Sequence, residues 1–269
     1  MLYVPAHRPR MLSKLASIPA DYFVVDLEDG VAPVEKAAAR RNVREAAAQG
    51  QLPQRWALRI NHDESEWFAG DLQVVDELQP AAVVLPKAEN PAVVRRLAVR
   101  RAAERTAIVL MIETARGVGR ARELAAADPS VGALFYGSAD LRRSLGSRPG
   151  PDRSWERHAM SEILLAARMA GCAAVDAVTF EFRNSERLES DARVARELGF
   201  DGKSCIHPGQ IETIHRVFSS TPAEVDWAEG VLEAWREQDG DHAGVVVMGN
   251  EMIESLHLDI ARRILARRP

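Results

Sequence analysis

The chain has 269 residues, close to the roughly 250 that an eightfold βα barrel needs and too few for two comfortable α/β domains. Apolar residues make up 46% and aromatics only 6%, so one large core must be built from Ala, Val, Leu and Ile. A net charge of −4 gives no electrostatic reason to expect nucleic acid or an anionic membrane as a partner.

Short apolar, β-branched runs recur along the chain with amphipathic helical stretches between them, the pattern of parallel βα repetition. In chain order, strands are predicted at Leu2–Pro5, Tyr22–Leu27, Trp56–Ile60, Ala82–Leu85, Ala107–Ile112, Leu134–Tyr136, Ala174–Ala177 and Lys203–Ile206. Their runs are continuous rather than alternating, as strands buried on both faces require. MLYVPAHRPR contains no apolar signal core, and the longest aliphatic run, Ala107 to Ile112, is too short for a bilayer. A soluble, cytoplasmic protein is therefore expected.

Between the strands the punctuation is ordinary. Pro91 opens a helix whose Val94, Leu97 and Ala98 share a face. Arg95, Arg96, Arg100 and Arg101 on that helix read as a solvated outer face rather than a phosphate patch. Gly171 and Gly199 follow two more helices where a left-handed cap is wanted. Cys172 and Cys205 sit far apart among apolar neighbours and are expected as buried, reduced thiols. Past residue 220 the repeat stops. Thr221-Pro222-Ala223-Glu224 is a capping box with proline at the first helical position. A turn-rich break (Asp239 to Gly244), a short apolar run (Val245–Met248) and a final amphipathic helix follow. The expected organisation is a TIM-type (β/α)8 barrel over 1–220 and a helical extension over 221–269. That extension looks too small for its own core, so it should pack on the barrel or on a neighbouring subunit.

In such a barrel the active site lies at the carboxyl ends of the strands. The second strand runs into Asp26, Glu28 and Asp29, the third into Arg59 and Asn61, and the fourth into Lys87. The fifth ends at Glu113 and the sixth reaches Asp140. The eighth begins at Lys203 and is followed by His207. Carboxylates without a histidine pair select a hard cation such as Mg²⁺. Blander roles exist for each. Glu113 could serve a helix N-terminus, Asp140 could be an N-cap, and Arg59 could pair with Glu28 or Asp29. His207, before Pro208, reads as a structural hydrogen-bonder, and Gly117-Val118-Gly119 lacks the rest of a dinucleotide fingerprint. The loop Arg142 to Arg153 is basic and breaker-rich, either a lid whose arginines meet phosphates such as a coenzyme A tail or a plain surface loop.

The strings LYVPAHRPRM, VVDLEDGVAPVEKAAAR, LRIN, VVLPKAE, MIETARGV, FYGSADL and GKSCIHPGQI together resemble the citrate lyase β-subunit-like (CitE-like) group of the HpcH/HpaI aldolase superfamily. The resemblance implies a TIM barrel, usually trimeric, that uses Mg²⁺ to form or cleave carbon–carbon bonds in thioesters such as citryl-, malyl- or citramalyl-CoA. It implies Glu113 and Asp140 as metal ligands and Arg59 as the arginine near the reacting centre. Glu28, Asp29 and Lys36 match positions around the substrate, in supporting roles. It also implies Glu254 as an acid reaching a neighbouring subunit's site; relatives carry aspartate in the corresponding "MID" string, whereas this chain reads MIES. Two other readings stand beside this one. One is a Schiff-base aldolase using Lys87 or Lys203; the other is a non-lytic, thioester-binding or carrier-dependent subunit of a larger complex.

Overall fold

The computed structural model describes residues 1–100, 106–148, 150 and 153–268. The chain divides into two compact units, Met1–Ile214 and His215–Pro269, a boundary slightly earlier than the expected 220. The first unit alternates strand and helix: β1 (Leu2–Pro5), α1 (Pro9–Leu12), β2 (Phe23–Asp26), α2 (Lys36–Ala48), β3 (Trp56–Arg59), α3 (Phe68–Leu78), β4 (Ala82–Leu85) and α4 (Pro91–Ala98). It continues with β5 (Ala107–Ile112), α5 (Ala115–Gly119), α6 (Ala121–Ala125), β6 (Val131–Tyr136), α7 (Ser138–Leu145), α8 (Arg157–Ala170), β7 (Ala173–Asp176), α9 (Ser185–Leu198) and β8 (Gly202–Lys203), and the boundary falls inside α10 (Ile211–Phe218).

The eight strands pair in chain order, all parallel. A parallel bridge between Leu2 and Cys205 joins the last strand to the first. There the Tyr3 N–H donates to the Cys205 carbonyl (2.9 Å) and the Cys205 N–H to that of Met1 (2.8 Å), so the sheet closes as a TIM-type barrel. The eight predicted strands are all present. The main differences are that β6 starts earlier, at Val131, and that β8 shortens to two residues.

Strand periodicity of two divides the side chains between inside and outside. Tyr3, Val24, Ala57, Val84, Met111, Phe135 and Val175 pack within the barrel, where alanines leave room for Phe135 and Met111. Their neighbours Val25, Leu58, Val83, Leu110 and Leu134 are also buried, on the opposite face. This double burial is why the strands read as unbroken apolar runs.

Local punctuation behaves as local physics dictates. Asn90 caps α4 by accepting from the Ala92 N–H (2.9 Å), with Pro91 at the first helical position. Gly171 and Gly199 end α8 and α9 with positive φ. Arg95, Arg96 and Arg100 are exposed, and Arg100 pairs with Asp76 at 2.5 Å, a solvated face as expected; Arg101 lies outside the described residues. Cys172 and Cys205 are buried free thiols.

The basic loop after α7 departs from its phosphate-binding reading. Pro149, Pro151 and Asp152 lie outside the described residues. Arg142 covers the Trp155 ring at 5.4 Å and Arg143 pairs with Asp140. Arg153, only 4% exposed, holds Asp176 with two hydrogen bonds (2.9 and 2.8 Å) and Glu156 with two more (2.9 and 2.8 Å). Lys203 Nζ reaches the same Asp176 at 2.8 Å. One buried carboxylate thus ties two buried cations beneath the helices. Asp176→Asn is expected to cost about 3–5 kcal/mol, the penalty of uncompensated buried charge, with urea unfolding as the measurement.

The second unit holds α11 (Pro222–Glu237), α12 (Gly240–Ala243), β9 (Val245–Met248), β10 (Glu251–Glu254) and α13 (Ser255–Leu265). The capping box at its start is present: Thr221 Oγ1 accepts from the Glu224 N–H (3.2 Å), and Glu224 Oε2 from the Thr221 N–H (2.7 Å). The helices of the extension are present as expected, and the apolar run Val245–Met248 forms an antiparallel hairpin with β10. One expectation needs correction: the extension has a small core of its own, in which Val246 and Ile253 from the hairpin meet Val231 and Trp235 from α11 and Leu258 from α13. Among the described residues, no helix is long and apolar enough to cross a membrane.

Candidate active site

The alternation that buries Val24, Ala57 and Met111 inside the barrel sends the residues two positions on, Asp26, Arg59 and Glu113, to the same inner face at the carboxyl ends of their strands. Parallel register sets Asp26 opposite Arg59. Arg59 Nε and Nη2 each donate to an Asp26 oxygen at 2.7 Å, a two-pronged clasp that fixes the guanidinium plane. The Tyr3 ring lies 4.9 Å from the same guanidinium. Burial alone would raise the Asp26 carboxyl, but the Arg59 charge and hydrogen bonds, with amides of Glu28 and Gly30, hold it below its ordinary value.

Arg59 Nη1 also approaches Glu28 Oε2 at 3.1 Å, a charge contact whose N–H is not aligned for a hydrogen bond. Glu28 Oε1 receives the Lys87 ammonium, which also donates to Asp29 Oδ2 at 3.2 Å. Burial nevertheless leaves Glu28 above the ordinary carboxylate range. Lys87 is raised as well; the Glu28 charge and hydrogen bond, then Glu113 and Asp29, outweigh its burial.

Glu113 directly follows β5 and is 2% exposed. The following helix is capped by Thr114 and not by Glu113: Thr114 Oγ1 accepts from the Gly117 N–H at 3.0 Å. Glu113 Oε1 accepts instead from the Lys87 backbone N–H at 2.8 Å. Its side chain lies flat against Gly137, where an added Cβ would stand 2.4 Å from Oε2; no larger residue fits there. Gly137 caps α7 and Asp140 is the third residue of that helix, so Asp140 is not the N-cap. Arg143 Nη2 lies 2.7 Å from Asp140 Oδ1. Burial, then Glu28 and more weakly Asp140, push Glu113 up to about 7, against the pull of Arg59 and Lys87. A buried carboxylate pressed this way by its like-charged neighbours gains most from a cation. The donors are all oxygens, which fits Mg²⁺. Among the described residues no three His, Cys, Asp or Glu form a ready cage. A cation on Glu113 and Asp140 would complete its shell with water or ligand oxygens, as Mg²⁺ habitually does.

The remaining expected site residues fall elsewhere. Asp29 is at the exposed rim. Lys36, expected at the substrate, is 5% exposed and uses its three ammonium protons on the carbonyls of Leu27 (2.6 Å) and Glu28 (2.7 Å) and on Asn61 Oδ1 (2.6 Å). It therefore anchors the loop that carries Glu28 instead of touching a ligand. Asn61 is itself held by Asp71 Oδ2, and Asp71 by Arg40 Nε (2.7 Å). Asp71 went unnoticed in the sequence, although it interrupts the buried face Phe68, Leu72 and Val75 of α3. His207 accepts from the Gly209 N–H at 3.0 Å and stacks on Phe182, a structural role as expected. Gly117 and Gly119 lie inside the short helix α5, with no nucleotide loop. Glu254 lies in the second unit, exposed, at the end of β10, where it caps α13.

The sequence relatives agree with this architecture. The HpcH/HpaI aldolase/citrate lyase family model matches residues 1–208. A (3S)-malyl-CoA thioesterase of Cereibacter sphaeroides is 36% identical over 268 residues, covering 99% of this chain and 93% of that protein. A citrate lyase subunit beta-like protein of Mycobacterium tuberculosis is 38% identical over 271 residues, with 99% and 94% covered. The crystal structure of CitE from Mycobacterium tuberculosis in complex with magnesium, acetoacetate and coenzyme A superposes with a TM-score of 0.86 at 36% identity, covering 99% of this chain and 96% of that one. With the family model spanning the whole barrel and relatives matching almost end to end, this chain belongs to the HpcH/HpaI aldolase/citrate lyase family.

Proposed function

We propose that this protein is a Mg²⁺-dependent carbon–carbon lyase acting on a coenzyme A thioester of a small 2-hydroxy or 2-oxo acid, of the citryl-, malyl- or citramalyl-CoA type, with acetyl-CoA as product or co-substrate. The observation that carries this reading is Glu113, buried at the inner carboxyl end of β5 on the same rim as Arg59, with Asp140 near enough to act on its charge. Glu113 and Asp140 would hold the metal. When bound, Mg²⁺ supplies Lewis-acid stabilisation of charge on the acid's 2-oxygen and carboxylate. Arg59, kept in one plane by Asp26, stabilises negative charge on the enolate or a substrate carboxylate. Magnesium and coenzyme A in the related crystal structure support the choice of cofactor and carrier. The Schiff-base alternative loses ground, since Lys87 is paired with Glu28 and Asp29 and Lys203 is buried against Asp176.

A hydrolytic outcome is the second reading, favoured by the (3S)-malyl-CoA thioesterase among the relatives. One experiment separates them. The pure protein is incubated with citryl-, malyl- and citramalyl-CoA, with and without Mg²⁺, and the products are resolved. Acetyl-CoA plus a 2-oxo acid supports lysis, and free CoA plus an intact hydroxy acid supports hydrolysis. Absence of turnover with all three overturns both and leaves the carrier-dependent subunit.

We further propose that the protein is a homo-oligomer, a trimer, in which Glu254 completes a neighbour's site and handles the proton at the enolate carbon. Register puts Glu254 opposite Val245 and Met252 opposite Val247, so one hairpin face carries Glu254 among exposed Val245, Val247 and Met252. An apolar strip of this kind around a carboxylate suits burial against another copy. Glu254→Gln and Asp140→Asn chains, each inactive alone, are expected to regain partial activity when co-assembled. A fully active monomer, or no complementation in verified mixed oligomers, reduces Glu254 to a helix cap.

A further inference from the structure

Lys87 has an unusual backbone. Its φ is +48°, in the left-handed region that a lysine occupies only against a steric cost and that β-branched residues tolerate worst. Among the described residues just three other non-glycine positions have positive φ: Gln79, Arg153 and Asp239. Gln79 and Asp239 are helix-end residues, where such a turn is ordinary. Lys87 instead sits two residues beyond β4, and the turn there performs two tasks. It carries the side chain across to Glu28 and Asp29 and returns the chain along β5, where the Ala88 N–H donates to the Met111 carbonyl (3.1 Å) and keeps the Lys87 amide on Glu113 Oε1 (2.8 Å). An extended backbone at Lys87 would carry Ala88 away from β5 and release that anchor. Strain retained at a site needs a surrounding structure that holds it, and here Glu113 after the adjacent β5 and Glu28 after β2 do so.

We infer that Lys87 is a positioning residue: its left-handed main chain orients the carboxylate of Glu113 for a divalent cation, while its ammonium neutralises Glu28. The inference rests on the metal reading of Glu113 and Asp140. Asp26 is clasped by Arg59, Glu28 by Lys87 and Asp140 by the largely exposed Arg143, whereas buried Glu113 accepts from a backbone amide. In this role Lys87 acts through another residue rather than on the substrate.

The test uses Mn²⁺ as the probe and compares substitutions that remove the ammonium equally but differ in tolerance of positive φ. Lys87→Asn and Lys87→Gly accept the left-handed turn, whereas Lys87→Thr does not. Mn²⁺ titration of each full-length protein is followed by electron paramagnetic resonance. Asn and Gly variants are expected to agree within about threefold, with Thr about tenfold weaker, the factor for losing one hydrogen bond to a charged group. Equal affinities for Asn and Thr variants, with wild type binding normally, overturn the role of Lys87 alone. No binding by wild type removes the metal reading and this inference with it. If Lys87→Thr does not fold, hydrogen exchange of residues 84–90 decides: Glu113→Ala should speed exchange of the Lys87 amide, and unchanged protection overturns the inference.

Discussion

Glu113→Gln or Asp140→Asn is expected to abolish turnover, with at least a thousandfold loss in kcat/KM, while the barrel still folds. EDTA should produce the same loss in the wild type, and Mg²⁺ or Mn²⁺ should restore it there but not in the variants. The size follows from removing a metal's share of transition-state charge stabilisation, several kcal/mol, at about 1.4 kcal/mol per tenfold. Glu113 adds a signature in stability. Its carboxyl is raised by burial and by Glu28 from 4.5 to about 7, so the neutral form is favoured in the folded state. The stability this confers is fully present below pH ~4.5 and is lost as pH rises through ~7. From the shift, metal-free wild type should lose about 3 kcal/mol relative to Glu113→Gln between pH 4 and pH 8. Saturating Mg²⁺ at pH 8 should recover stability in the wild type only. Full activity in rigorously metal-free protein would remove the metal from Glu113, and parallel pH–stability curves for wild type and Glu113→Gln would remove its raised carboxyl.

Arg59 should show the next largest effect, but its environment complicates the simplest variant. Loss of a fixed electrostatic donor at the reacting centre is worth roughly 10²–10³ in rate. Arg59→Met, however, also strips buried Asp26 of both its 2.7 Å partners, which should cost about 3–5 kcal/mol of stability. Two further variants separate the contributions. Arg59→Lys keeps the charge but loses the planar fork, and is expected to fold stably with at least a tenfold loss in kcat/KM. Asp26→Asn/Arg59→Met removes both charges, so it should recover most of the lost stability while staying at least a hundredfold less active. Recovery of activity together with stability in the double variant would make the Asp26–Arg59 pair purely structural.

The partner of Arg59 shows where sequence reasoning reaches its edge. Beside its role near the reacting centre, Arg59 had one structural alternative in the sequence, a pairing with Glu28 or Asp29. Asp26 takes the central place because β2 and β3 run in parallel register, which sets Asp26 opposite Arg59. Glu28 contributes a side contact and Asp29 turns to Lys87. Lys36 looks like another rim cation in the sequence, yet its four-carbon stem carries the ammonium back onto the carbonyls of Leu27 and Glu28. The second hairpin strand, Glu251–Glu254, was missed because EMIE has one inward side chain, Ile253, and gives little alternation to read.

The amino-acid sequence by itself determined the eight strands, the helix boundaries at Pro91, Gly171, Gly199 and Thr221, and the acidic character of the barrel mouth. Each depends on side chains a few residues apart, through burial on both strand faces, amide capping or the simple order of strand ends. Only the tertiary structure decided which charges cancel and which remain. Asp26 with Arg59, Glu28 with Lys87, and Asp176 with Arg153 and Lys203 are pairings between different segments. They are set by strand register, by which face a side chain takes and by the left-handed turn at Lys87. Ion-pair strength depends on distance and on exclusion of water, and neither exists until the barrel has closed.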